Sequence, residues 1–87
     1  METDEGWLDE MQAMLSNVCK AQNWDLKQTA TLAGGTRSFN VQRGSKIVTV
    51  LISSLISTRI PADVIMEHDN IDYDEEQILT RLSRKFQ

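Results

Sequence analysis

Cysteine is almost absent from this chain. Cys19 stands alone, which excludes an intramolecular disulfide and any multi-cysteine metal site within one chain, and a lone thiol suits a reducing compartment. Histidine is equally scarce. His68 would have to anchor a hydrolytic triad by itself, yet no G-x-S-x-G surrounds any serine, and a solvated loop histidine is the expected reading. The G-x-x-x-x-G-K-[ST] phosphate loop is missing too, since Ala33-Gly34-Gly35-Thr36 does not supply it. No apolar run reaches bilayer length. The longest, 47–56, is interrupted by Thr49, Ser53 and Ser54 and has about half the residues a spanning helix needs. The opening METDEGWLDE is acidic and lacks the basic and apolar regions of a signal peptide. These absences predict a cytoplasmic protein without enzymatic activity, cofactor or membrane contact.

What remains is the composition of an ordinary globular chain of one domain, 1–87, with 40% apolar and 25% charged residues. The net charge of -4 disfavours nonspecific attachment to nucleic acid or anionic lipid. The charge is segregated, however. Acids crowd 1–30 and 61–87, whereas 31–60 holds Arg37, Arg43, Lys46 and Arg59 and no acid.

The chain opens on a helix. Thr3 or Asp4 can cap it, Glu5 suits its first turn, and Trp7, Leu8, Met11, Met14, Leu15, Val18 and Cys19 recur at helical spacing to about Gln22 or Asn23. From Trp24 the period drops to two. Trp24, Leu26, Ala30 and Leu32 share one face and Asp25, Lys27, Thr29 and Thr31 the other. Turns at Gly34-Gly35 and Gly44-Ser45 separate two further strands. In the third, apolar residues on both faces mark a central or doubly covered strand. Residues 60–67 read as a short helix begun by Pro61, or as a fourth strand over 62–66. The last helix starts at a capping arrangement, Asp72 with Glu75 or Asp74 with Gln77, and carries Ile78, Leu79, Leu82 and Phe86 as its apolar stripe. The expectation is a two-layer α+β fold: helix, three-stranded antiparallel meander, short helix or strand, C-terminal helix.

Three features compete as sites. The acidic stretch 67–76 invites a metal, but an EF-hand loop from Asn70 puts Glu75 at the sixth position and Arg81 at the twelfth, and one from Asp72 puts Gln77 and Ser83 there. Neither fits the required glycine and glutamate, so no metal is expected. The central bases suggest nucleic acid, and the element order is also that of a double-stranded-RNA-binding domain. Those domains meet phosphate at the start of their last helix, where this chain carries Asp72, Asp74, Glu75 and Glu76. Nucleic-acid binding through the central segment is therefore the alternative. The leading expectation is a non-enzymatic protein-binding module, an adaptor, inhibitor or chaperone. It would meet a protein with a basic surface through Glu2, Glu5, Glu67 and Asp69, and through a polar sheet face of Thr29, Thr31, Ser38, Asn40 and Gln42. A free sheet edge adds strand addition as a second route and is compatible with a homodimer. In element order and acidity the chain resembles small secretion chaperones.

Overall fold

The structure, a computed structural model, describes residues 5–32, 35–54, 61–68 and 73–87. It has an α+β fold in two layers. The elements follow in the order α1 (Glu5–Gln22), β1 (Asp25–Leu32), β2 (Thr36–Arg43), β3 (Lys46–Ser53), β4 (Val64–Glu67) and α2 (Glu75–Phe86). The caps proposed for α1, Thr3 and Asp4, lie outside the described residues.

α1 buries Leu8, Met11, Leu15, Val18 and Cys19, the stripe that its spacing predicts. It stops where Asn23 takes a left-handed backbone with φ of 63°, a conformation asparagine tolerates better than most residues. Trp24 N–H then donates to the Cys19 carbonyl at 2.8 Å and Asn23 N–H to the Lys20 carbonyl at 3.3 Å. This pair of bonds is the Schellman ending, and it turns the chain directly into β1.

The sheet has the order β1-β2-β3-β4. The first three strands form the expected antiparallel meander. Gly44, with φ of 62°, opens the Gly44-Ser45 turn between β2 and β3, as the first central position of a type II′ hairpin requires. Gly35, with φ of 80°, is constrained twice, because a Cβ there would also collide with the Ser54 hydroxyl.

Of the two readings for 60–67, the strand is the one observed. β4 pairs in parallel with β3, from Val50 opposite Val64 to Ser53 opposite Glu67. Pro61 precedes the strand without starting a helix. The physical reason is alternation: Val64 and Met66 are buried against the helices while Ile65 faces the other way, and two adjacent β-branched residues favour a strand. β3 is the inner strand between β2 and β4, as one of the two expected readings has it.

A second correction concerns β1. Its register with β2 shifts between Gln28 and Ala30, a β-bulge, after which Ala30 faces Ser38 and Thr31 faces Arg37. One extra residue reverses side-chain parity. Thr31 therefore sits on the helix side, where its hydroxyl accepts from Gln28 Nε2 at 2.8 Å, and Ala30 moves to the opposite face.

Both helices pack on one face of the sheet, over Phe39, Val41, Val48, Val50, Ile52, Val64 and Met66. Each such fully buried side chain is worth about 1.5–3 kcal/mol relative to exposure. The helices run the same way. Leu8 approaches Gly35 and Arg37 reaches Asp9 near the start of α1, while Trp24 beyond its end meets Phe86, the last residue of α2. The far face is not uniformly open. Leu51 is 0% exposed there without belonging to the helix-side core, and Thr36 and Ser53 share a buried hydroxyl–hydroxyl bond of 3.0 Å.

Candidate functional site

The residues expected to form a site divide into three groups. Glu2 and Asp69 lie outside the described residues. Thr29, Ser38, Asn40 and Gln42 come together on the sheet face away from the helices, as expected, whereas Thr31 does not join them. Their polar groups are largely committed to one another and to neighbours. Thr29 Oγ1 donates to Ser38 Oγ at 3.0 Å, Thr49 Oγ1 to Asn40 Oδ1 at 3.3 Å, and Gln42 Nε2 to the Gly44 carbonyl at 3.0 Å. Ile47, 55% exposed, is the large apolar residue beside Gln42 on that face.

The third group is acidic and does not gather at one end: Glu5 and Glu10 lie near the start of α1, whereas α2 begins beside Asn17, twelve residues further along α1 than Glu5. Glu5 is exposed in the first turn of α1 and Glu67 is half-buried at the end of β4. A contact that the sequence did not suggest joins these two elements: His68 stacks on Trp7 with ring centroids 4.5 Å apart and planes 12° from parallel. Asp74 caps α2 by accepting from Gln77 N–H at 2.8 Å, the second of the two expected capping pairs. Glu75 accepts from Asn17 of α1 at 3.2 Å. Asp9 pairs with Arg37 at 2.7 Å. Glu5, Glu10 and Glu76 are exposed, and their carboxylates have no hydrogen-bond or ion-pair partner among the described residues. Acids at helix N-termini are favoured by the dipole, so the fold itself tolerates this concentration of charge. A concavity of about 480 Å³ runs along α2 between Asp74, Glu76, Gln77, Thr80 and Arg81.

The central bases do not form one patch. Arg37 Nη1 donates to Asp9 at 2.7 Å and to Gln12 at 2.9 Å. Arg43 lies over the Phe86 ring at 6.0 Å, and Lys46 Nζ donates to the Phe86 carbonyl at 3.0 Å, closing the end of α2. Arg37 and Arg43 sit six positions apart on β2, roughly 20 Å along an extended strand. Arg59 lies outside the described residues.

Burial pushes the Cys19 thiol up from 9.0 to about 11, the reverse of what a reactive thiolate needs. Among the described residues no group of three or more His, Cys, Asp or Glu side chains is placed to hold a metal ion, and no helix is long and apolar enough to cross a membrane. No family model matches the chain, and no curated protein or solved structure is significantly similar to it.

Proposed function

We propose that this protein is a non-enzymatic binding module, an adaptor or inhibitor, that engages the basic surface of another protein through the exposed acids of α1 and of the first turn of α2. The observation that carries this reading is the set of exposed carboxylates without a partner among the described residues, Glu5, Glu10 and Glu76, together with the acids Asp74, Glu75 and Glu67. Unpaired surface charge contributes little to folding, but it steers association and rejects partners of like charge. The face with Thr29, Ser38, Asn40 and Gln42 is the lesser candidate, because its polar groups are already bonded internally. Nucleic acid remains the weaker alternative, since Arg37, Arg43 and Lys46 each serve an intramolecular contact. A reducing compartment, the cytoplasm, suits the free, buried Cys19.

The test uses two baits, the wild-type protein and a variant with Glu5, Glu10, Glu67 and Glu76 all changed to glutamine. Proteins retained by the first and lost by the second should be basic at the contact. Association of such a partner should slow at low salt in the variant, with a flatter salt dependence. Equal capture and equal salt slopes would remove these acids from the mechanism.

A further inference from the structure

At the outer edge of β4, α2 and the strand enclose a groove of about 380 Å³ lined by Asp63, Val64, Ile65, Arg81, Arg84 and Lys85. Three of these six are cations, and they come from one face of α2, because positions three and four apart in a helix are neighbours. Arg81 is partly committed: Nη1 donates to the Ile65 carbonyl at 3.0 Å and its guanidinium lies 5.1 Å from the Tyr73 ring centre. Arg84 and Lys85 are exposed and have no partner among the described residues. The one acid in the groove, Asp63, forms no ion pair with them. Asp63 Oδ2 accepts from the Thr49 amide at 2.8 Å, turned toward β3.

We infer that this groove is a second docking surface, for an extended segment of a partner protein with acidic side chains at alternate positions. The geometry sets the spacing. From Arg81 to Lys85 the helix advances about 6 Å, while alternate side chains of an extended chain lie about 7 Å apart on one side. Two carboxylates at positions i and i+2 therefore meet the cationic wall together, and the side chain between them points away from α2. A neutral or basic segment would leave both cations unpaired. The surface adjoins the acids of α2 through Arg81, which lines both, and the two together suit an adaptor that holds unlike partners.

The experiment measures fluorescence anisotropy of a labelled peptide of alternating glutamate and leucine added to the full chain, with the lysine–leucine counterpart and a random single-stranded oligonucleotide as comparisons. The acidic peptide should bind and the basic one should not. Amide shifts in the NMR spectrum should concentrate at 63–65 and 80–87. Arg84→Glu with Lys85→Glu should weaken binding by about tenfold or more, and Arg84→Ala with Lys85→Ala should weaken it less; the reversal opposes the α2 dipole and lowers the thermal midpoint somewhat, while both variants keep one cooperative transition. Unchanged affinity in the charge-reversed variant, or shifts centred elsewhere, would overturn the inference. Tighter binding of the oligonucleotide than of the peptide would also overturn it and assign the groove to nucleic acid instead.

Discussion

Arg81 of α2 closes the outer edge of β4 by donating to the Ile65 carbonyl at 3.0 Å. Two positions along, the Glu67 amide donates to the Tyr73 hydroxyl at 3.3 Å, so two side chains satisfy backbone groups that an edge strand otherwise presents to any passing chain. Arg81→Ala should cost about 1.5–3 kcal/mol, the range for a lost hydrogen bond to a charged group. It should also promote concentration-dependent association, read by sedimentation velocity. A variant that associates no more than the wild type would show that the edge is guarded by other means.

Leu15 is fully buried at the centre of α1. Leu15→Ala should lower stability by about 2–5 kcal/mol in urea denaturation, a large share of what so small a domain possesses. A loss within about half a kcal/mol, as at surface sites, would mean that α1 is not anchored by this stripe.

Asp74 and Glu76 are both exposed acids at the start of α2, but Asp74 alone accepts a bond from a first-turn amide. Asp74→Ala should cost about 1 kcal/mol, whereas Glu76→Ala should stay within about half a kcal/mol. Equal losses would point to a shared effect of charge on the helix dipole instead of a cap.

Cys19 predicts a pH dependence. Its thiol is held neutral by burial, with the pKa raised from 9.0 to about 11. Below pH 9 both folded and unfolded chains keep the proton, and this contribution to stability is fully present. Between 9 and about 11 the unfolded chain loses the proton first, so stability falls as pH rises. Cys19→Ala should flatten that decline, and alkylation by iodoacetamide should follow global unfolding. Rapid alkylation of the folded protein at neutral pH would contradict the burial.

The elements that could be read from the sequence are those whose signals are local. Seven apolar residues at helical spacing specify α1, Asp74 and Gln77 mark the start of α2, and the turn at Gly44 fixes the hairpin of β2 and β3. The failures have non-local causes. Thr31 alternates correctly with Thr29 on paper, but the register shift at Gln28 and Ala30 reverses which face it occupies, and no side chain there announces a bulge. Val64, Ile65 and Met66 are too short a run to distinguish a helix from a strand until the free edge of β3 is known. The candidate site shows the same division. Clustered acids are visible as composition, and so is the spacing of Arg81, Arg84 and Lys85. Only the position of β4 makes that spacing one wall of a groove.

The parallel course of the two helices has an electrostatic consequence. Asp74 and Lys85 bracket α2, roughly 16 Å apart along its axis. At physiological ionic strength the screening length is about 8 Å. Lys85 therefore lies two such lengths from Asp74, and a surface approaching that end senses the cation far more than the carboxylate. The net charge of -4 describes neither encounter: the two ends of α2 present opposite local charge, and Arg81, which lines both the groove and the acidic concavity, stands between them.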